Sequence, residues 1–236
     1  MKNILVTRQA EQSVDFINLL SKNLFYPFLL PMIETIGVDF VTKKQVYDYI
    51  IFSSTNAAKF FFLKSKAKGV KYIAVGSSTA KYLDTFGVNA FTPKDEFSAE
   101  GLIEYFRDID IKDANILIPT PEKHSDSLKN FLVSNGALVE TVVVYKTDEV
   151  KYPTGHLNNF LLENNIDTVT FASPSAAKSF FSNAEKNKDI YNLKYISIGK
   201  TTYSFLKENY NIQSHYPDKY TVEGIVELLN DIRRKK

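Results

Sequence analysis

Hydroxyl side chains close a predicted strand and open a predicted helix at two places in the chain, IIFSSTNAAKFFF from residue 50 and VTFASPSAAKSFF from residue 169. Ser54 and Ser173 are the predicted N-caps, and Pro174 suits the first helical position, where its missing N–H costs nothing. The unpaired N–H groups of each helix then lie just beyond the carboxyl end of a strand. Because such groups attract negative charge, the pattern predicts an anion-binding position in each copy.

Most other candidate site residues are also hydroxyls at predicted strand ends. They include no convergent set of carboxylates or histidines, so the predicted chemistry is the binding of a large polyanion by many neutral donors. A helix cap without a ligand is the alternative for each serine and threonine. The candidates are Thr7, Ser53, Ser54, Thr55, Ser78, Thr79, Ser98, Tyr145, Ser173, Ser175, Thr201, Thr202 and Thr221.

The spacing of residues in the sequence matches no metal site, no nucleophilic serine motif and no nucleotide-binding loop. The three histidines are too scattered to form a metal site, and the chain has no cysteine. No G-x-S-x-G pattern marks a nucleophilic serine. The run GKT at 199–201 resembles the end of a phosphate loop, but Lys194 occupies the position of the first required glycine. We therefore predict neither a metal nor a cofactor.

The composition is typical of a globular protein. The chain has 236 residues, 44% of them hydrophobic and 24% charged, with a formal net charge of +2. This charge is too small to indicate a nucleic-acid partner, and the basic run at 233–236 suits a solvated tail. No apolar stretch approaches the length of a membrane span. Because cysteine and a signal segment are both missing, we expect a cytoplasmic protein.

The elements that position these residues occur twice, as an internal duplication at the scale of a whole domain. Asp48–Phe62 is repeated in Asp167–Phe181, and three further pairs of segments correspond. This repeat is much longer than the unit of a solenoid. It predicts two similar units that face each other across a cleft. The further pairs are Asn3–Thr7 with Asn115–Pro119, Tyr72–Thr79 with Tyr195–Thr202, and Ser98–Ile103 with Thr221–Val226.

Strand and helix patterns alternate in both units, which predicts doubly wound parallel sheets with helices on both faces. Two extended stretches, Ile33–Phe40 and Leu138–Thr147, each follow the first strand–helix step of a unit. The first alternates polar and apolar residues throughout and the second does so at its end, which suits a half-exposed ribbon. We predict that the two stretches pair as a two-stranded ladder between the units.

The order of these motifs resembles the uroporphyrinogen-III synthase family along nearly the whole chain. Thr7-Arg8 comes first, followed by IIFSSTNA, AVGSSTA, FSAEGL, VVVYKT, VTFASPSA, SIGKTT and TVEGIVELL. The resemblance implies two flavodoxin-like or Rossmann-like α/β domains joined by the ladder. It also implies that the first strand–helix step packs with the C-terminal segment. One discontinuous domain then covers 1–35 and 148–236, and the other covers 36–147.

The reaction that the resemblance implies is a cyclisation in porphyrin and haem biosynthesis. The linear tetrapyrrole hydroxymethylbilane closes with inversion of ring D and loss of water, giving uroporphyrinogen III. For such a lyase we expect no cofactor and no metal. We also expect a monomer that receives its substrate from hydroxymethylbilane synthase, with no nucleic-acid or membrane partner.

Site residues follow from positions that match the family's motifs. Tyr145, in VVVYKT, matches the tyrosine favoured for assisting departure of the hydroxyl group, with packing and hinge support as its alternative role. Thr55 departs from the family, in which proline or alanine is common at this position. The predicted substrate-binding residues are Thr7, Arg8, Ser54, Ser78, Thr79, Ser98, Ser173, Ser175, Lys194, Gly199, Thr201 and Thr202.

Two non-enzymatic classes stay open at this point. A non-catalytic two-domain protein could bind an anion or a tetrapyrrole by closing on it, and a degenerate synthase-like regulator is the other alternative. The C-terminal segment from Asp231 is too short to supply a DNA-binding module. Turnover of a linear tetrapyrrole would separate the enzyme from both alternatives.

Overall fold

Strands and helices alternate along the part of the chain that the computed structural model describes, which is residues 2–93, 99–185, 190 and 192–234. The strands are β1 (Asn3–Val6), β2 (Tyr26–Leu29), β3 (Ile33–Gly37), β4 (Val46–Phe52), β5 (Lys68–Ala74), β6 (Ala90–Phe91), β7 (Asn115–Pro121), β8 (Leu138–Glu149), β9 (Thr168–Phe171) and β10 (Lys194–Ser197). The helices are α1 (Val14–Lys22), α2 (Thr55–Lys64), α3 (Ser77–Asp84), α4 (Ala99–Arg107), α5 (Ser127–Ser134), α6 (His156–Glu163), α7 (Pro174–Asn183), α8 (Lys200–Tyr210) and α9 (Val222–Arg234).

The chain divides into two compact units. Unit 1 comprises Met1–Glu34 and Asp148–Lys236, and unit 2 comprises Thr35–Thr147. The chain therefore passes between the units twice, before Thr35 and before Asp148. The family resemblance implies two domains, one at 1–35 and 148–236 and the other at 36–147. That these are independently folding domains stays a prediction.

Unit 1 is built on a four-stranded parallel sheet in the order β10-β9-β1-β2. Because side chains alternate between the two faces of a strand, Leu5 packs with α6, α7 and α8, while Ile4 and Val6 pack with α1 and α9. Helices thus cover both faces of the sheet. This burial on both sides explains why β1 has the continuous apolar run Ile4–Val6 and why all four residues of β9 are buried.

Unit 2 repeats this arrangement on a six-stranded sheet in the order β3-β8-β7-β4-β5-β6. The strands from β8 to β6 are parallel. On β4, Ile50 and Phe52 pack with α2 and α3, whereas Tyr49 and Ile51 pack with α4 and α5. The order β8-β7-β4-β5 corresponds to β2-β1-β9-β10 of unit 1. The prediction of parallel α/β sheets with helices on both faces is confirmed.

The two extended stretches of the sequence pair with each other. The Val38 N–H donates to the Val144 carbonyl at 3.1 Å, and the Val150 N–H donates to the Met32 carbonyl at 3.0 Å. As the chain advances along β3, its partners run backwards along β8, so the pair is antiparallel. The predicted pairing of the two stretches is therefore present, and it forms an antiparallel edge on the otherwise parallel sheet of unit 2.

No helix within the described ranges is long and apolar enough to cross a membrane. The same residues contain no group of three or more His, Asp or Glu side chains placed to hold a metal ion. For the whole chain, the absence of a membrane span and of a metal site stays a prediction.

Candidate active site

Strand direction determines where the predicted site residues can converge, because the carboxyl ends of parallel strands meet at one edge of a sheet. In unit 1, Thr7 follows β1, Ser173 follows β9 and Gly199 follows β10. In unit 2, Ser54 follows β4 and Ser78 follows β5. We call these two places the carboxyl edge of unit 1 and the carboxyl edge of unit 2.

Ser54 and Ser173 cap their helices with nearly the same geometry, as the sequence predicts. Ser54 has φ −155° and ψ 156°, and its Oγ accepts a hydrogen bond from the Ala57 N–H at 3.1 Å. Ser173 has φ −161° and ψ 157°, and its Oγ accepts from the Ala176 N–H at 3.2 Å. Each cap occupies the N–H of the third helical residue. The N–H of the second helical residue has no intrahelical partner and is open to a ligand.

Burial divides the predicted hydroxyls according to their position in the helix. At the second helical position, Ser78 in α3, Ser175 in α7 and Thr201 in α8 are exposed. At the third position, Thr79 in α3 and Thr202 in α8 are only 5% and 2% exposed. The exposed hydroxyls can contact a ligand. The buried hydroxyls are too enclosed for such a contact.

The Thr7-Arg8 pair that follows β1 consists of one buried and one accessible residue. Thr7 is fully buried, and its hydroxyl donates to the Thr170 carbonyl at 2.7 Å, which ties the end of β1 to β9. Arg8 is half-buried, and burial lowers the pKa of its guanidinium. Its Nη2 donates weakly to Gln12 Oε1 at 3.5 Å. An arginine keeps its charge under such a shift, so Arg8 places a cation at the carboxyl edge of unit 1.

Gly199, the N-cap of α8, lies directly against an aromatic ring. A Cβ at this position would be 2.8 Å from Tyr220 Cγ, which is closer than carbon atoms pack. Its φ of −171° is ordinary extended backbone, so glycine is needed here for space and not for conformation. Tyr220 is 56% exposed, and the Tyr216 ring contacts it edge-on with centroids 6.3 Å apart. The carboxyl edge of unit 1 therefore has an exposed aromatic surface beside the start of α8.

Two predicted binding residues are not placed with the others. Lys194 is the first residue of β10, so it lies at the amino end of the strand that Gly199 follows. Strand direction therefore separates Lys194 from the carboxyl edge, and its role in binding stays a prediction. Ser98 lies outside the described residues.

Tyr145 is fixed at the carboxyl edge of unit 2 by contacts from two sides. It lies on β8 opposite Pro121, where the pairing with β7 shifts register, and it is only 8% exposed. Its ring stacks on Phe60 of α2, with centroids 5.8 Å apart and planes 26° apart. Its Oη lies 3.3 Å from Ser54 Oγ. The phenol oxygen is thereby held at the start of α2.

Phe60 and Gly37 support Tyr145, and neither is among the site residues predicted from the sequence. A Cβ on Gly37 would lie 2.6 Å from Phe60 Cδ1, so the backbone of β3 approaches the ring directly. Phe60 belongs to a run of three phenylalanines that suggests only a core helix, and Gly37 has no side chain to suggest a role. Their function becomes visible only when β3, β8 and α2 are brought together.

These features define a class of protein, which is a duplicated, doubly wound α/β protein with helix-capping hydroxyls at its strand ends and a buried tyrosine among them. The family model for Uroporphyrinogen-III synthase HemD matches residues 14–227 of the chain. The chain belongs to the uroporphyrinogen-III synthase family. The resemblance seen in the sequence is confirmed.

Individual proteins of this name are similar over the full length. A putative uroporphyrinogen-III synthase from Methanocaldococcus jannaschii is 27% identical over 248 residues, covering 98% of this chain and 99% of the relative. The uroporphyrinogen-III synthetase crystal structure from Helicobacter pylori has a TM-score of 0.70 at 20% identity, covering 99% of this chain and 100% of that one. A mutant uroporphyrinogen III synthase from the extremely thermophilic bacterium Thermus thermophilus has a TM-score of 0.58 at 15% identity, covering 100% of both chains. The two crystal structures show the shared fold.

Family membership makes the protein an enzyme of porphyrin biosynthesis whose substrate is a linear tetrapyrrole. It favours the enzyme over the non-catalytic binding protein that the sequence left open. The similarities do not assign individual residues. Those roles rest on the geometry of the two carboxyl edges.

Proposed function

We propose that the protein converts hydroxymethylbilane to uroporphyrinogen III, with inversion of ring D and loss of water, and that Tyr145 is the general acid. The observation that carries this proposal is the buried phenol at the carboxyl edge of unit 2. Its ring stacks on Phe60 at 5.8 Å and its oxygen lies 3.3 Å from Ser54 Oγ. The departing hydroxyl of the substrate needs one proton donor, and a fixed phenol can supply it.

The first step breaks the carbon–oxygen bond of the hydroxymethyl group. The electron pair of the pyrrole nitrogen moves towards that carbon, and the departing oxygen takes the Tyr145 proton and leaves as water. The cation that remains returns its N–H proton to the phenolate, which gives a neutral, electrophilic azafulvene and restores the tyrosine. The ring D carbon that already bears the bridge to ring C attacks this azafulvene and forms a spiro intermediate. The original bond between ring D and that bridge then breaks, which leaves a second azafulvene on ring C. The free α-carbon of ring D bonds to the bridge carbon and loses its proton, which closes the macrocycle with ring D inverted.

The carboxylates of the substrate match the other features of the two edges. Acetate and propionate groups surround the tetrapyrrole, and helix N-termini with unpaired N–H groups bind such anions. In this proposal the exposed Ser78, Ser175 and Thr201 add hydroxyl donors, and Arg8 adds a positive charge. Closure without an enzyme gives the uninverted isomer. Holding the chain in a folded conformation therefore makes the inverting attack the faster one.

The buried hydroxyls have an indirect role in this proposal. Thr7, Thr79 and Thr202 support the turns that present the donors, since each is at most 5% exposed. We also propose that the protein is a cytoplasmic monomer and that it receives its substrate from hydroxymethylbilane synthase. The absence of cysteine is compatible with a reducing compartment.

Product analysis tests the proposed reaction. The purified protein is given freshly made hydroxymethylbilane without added metal or cofactor, and the uroporphyrins obtained by oxidation are separated into type I and type III isomers. We expect type III in excess of the type I that forms spontaneously. If well-folded protein gives type I alone, the family fold stands but the catalytic assignment falls. A tetrapyrrole-binding protein would then be the better account.

A further inference from the structure

Ser54 Oγ takes part in two hydrogen-bond contacts, and the donor is defined in only one of them. A serine hydroxyl has one O–H to donate and two lone pairs to accept with. The Ala57 N–H donates to Ser54 Oγ at 3.1 Å, which takes one lone pair. The Tyr145 oxygen lies 3.3 Å from the same Oγ, close enough for a hydrogen bond in either direction. The direction decides which hydroxyl proton is left for the substrate.

We propose that Ser54 is a positioning residue for the reaction, and that its O–H donates to Tyr145 Oη. The phenol proton then points away from α2 and towards the departing hydroxyl of the substrate. In the opposite direction, Tyr145 would donate to Ser54 and its proton would be engaged before the substrate arrives. This inference rests on the proposed role of Tyr145 and assigns Ser54 to orientation of the acid, whereas the sequence predicts a contact with the substrate.

Both partners of this hydrogen bond are held by the fold before any substrate binds. The cap bond anchors Ser54 Oγ to the backbone of α2, and the stack on Phe60 orients the Tyr145 ring. A phenol O–H turns only about its C–O bond, so a donor on one side of the oxygen leaves the proton on the other side. Pre-organisation of this kind costs nothing at the moment of reaction.

Ser173, the matched serine of unit 1, allows the effect of capping to be measured separately from the effect of positioning. Ser173 has the same backbone conformation and the same cap bond to the third helical N–H. Counting along the chain from the first residue pairs of β1–β2 and β7–β8 places Ile33 where unit 2 has Tyr145. A serine that only caps a helix is therefore available in the same molecule as a reference for the cost of losing the cap.

The test is a double-mutant cycle on Ser54 and Tyr145, with kcat, KM and thermal unfolding measured for each variant. Ser54→Gly removes the hydroxyl with little loss of the cap, and Ser54→Thr keeps a hydroxyl. We expect Ser54→Gly to lower kcat about tenfold at nearly unchanged KM, and Ser54→Thr to restore most of it. In the Tyr145→Phe background, Ser54→Gly should cost nothing further, because there is no phenol left to orient.

The other outcomes overturn the positioning role in distinguishable ways. A rise in KM alone, or losses that multiply in the double variant, would assign Ser54 to substrate binding. Unchanged kinetics, with the same fall in melting temperature as in Ser173→Gly, would leave only a cap. A slow Tyr145→Phe beside a fully active Ser54→Gly would overturn the positioning role and keep the acid. Unchanged turnover in Tyr145→Phe would overturn the proposed acid, and the positioning role with it.

Discussion

The two copies of the strand–serine–helix motif have nearly identical backbones and different surroundings. Ser54 and Ser173 have φ and ψ within a few degrees of each other and cap their helices at 3.1 and 3.2 Å. Ser54 also lies 3.3 Å from the Tyr145 phenol. The pairs Asn3–Tyr26 and Asn115–Leu138 open equivalent strand pairs, and counting along the chain from them places Ile33 where unit 2 has Tyr145.

This difference shows how a duplicated fold acquires an asymmetric chemistry. In unit 2, the pairing of β7 with β8 extends as far as Pro121 and Tyr145, so Tyr145 lies at the helix start. In unit 1, β2 ends at Leu29, and Ile33 packs against the hydrophobic core. Both units keep the capped helix that suits an anion, but among the described residues only the Ser54 cap has a tyrosine oxygen within hydrogen-bond distance of its hydroxyl. We therefore expect changes in unit 2 to affect turnover and changes in unit 1 to affect binding.

Tyr145→Phe should have the largest effect. We expect kcat to fall about 100-fold, at the lower end of what general acid catalysis contributes, with KM changed by less than about twofold. The ring and its stack on Phe60 remain, so the loss reports the hydroxyl alone. Initial rates with hydroxymethylbilane, together with the ratio of type III to type I product, provide the measurement.

Tyr47→Phe is the matched control for this substitution. Tyr47 is another buried tyrosine of unit 2, but it lies near the start of β4 and donates to Glu140 Oε2 at 2.6 Å. Its loss should lower the free energy of unfolding by about 1 kcal/mol and leave kcat unchanged. Equal kinetic losses in both variants would mean that neither tyrosine acts on the substrate directly.

Gly37→Ala should reach the same site indirectly. The new Cβ would be 2.6 Å from Phe60 Cδ1, so the ring must move and its stack on Tyr145 shifts with it. We expect kcat to fall about tenfold and the free energy of unfolding to fall by about 1 to 3 kcal/mol. Gly76→Ala is the control, since a Cβ there meets no described atom within 4 Å. A Gly37→Ala enzyme with full kcat would show that the stack is dispensable.

Gly199→Ala makes the equivalent change in unit 1, where a Cβ would be 2.8 Å from the Tyr220 ring. Because Tyr220 is exposed and can turn aside, the fold should tolerate the change. We expect KM to rise about fivefold, which is about 1 kcal/mol of binding, with kcat nearly unchanged. Steady-state kinetics on the purified variant measure both constants. A fall in kcat of the size seen for Gly37→Ala would remove the proposed division between the units.

The helix caps should give the smallest difference between the units. Ser54→Ala and Ser173→Ala should each lower the free energy of unfolding by about 1 kcal/mol, since their cap bonds have the same geometry. Urea denaturation followed by circular dichroism measures both losses. Values that differ by more than the cost of one cap would show that Tyr145 also contributes to the stability of the Ser54 turn.

Local patterns in the sequence predicted much of this structure. The repeat gave the duplicated topology, and the Ser-Pro and Ser-Ser-Thr turns gave both caps at Ser173 and Ser54. Alternating residues gave the two stretches that pair as a ladder. The caps and the alternation depend on neighbours within a few residues, so they can be recognised in a single segment, and the repeat is recognised by comparing two segments directly.

Contacts between distant segments could not be predicted in the same way. Ser54 and Tyr145 are 91 residues apart, and their contact depends on the register of β8 against β7 and on its shift at Pro121. The approach of Gly37 to Phe60 depends on the antiparallel ladder. Lys194 matches a motif position of the family, but it lies at the amino end of β10, away from the carboxyl edge. A match to a motif position does not show which end of a strand the residue occupies.

During synthesis on the ribosome, the two segments of unit 1 emerge at different times, because unit 2 lies between them in the chain. β1 emerges early, but Thr7 must wait for Thr170, its hydrogen-bond partner 163 residues further along the chain. Unit 2 is contiguous and can complete its sheet during that interval. Until β9 is synthesised, the edge of β1 that pairs with β9 in the folded protein is unpaired. An unpaired strand edge can pair with strands of other chains and so promote aggregation. The time that ribosomes need to traverse unit 2 therefore sets how long this edge stays exposed during synthesis.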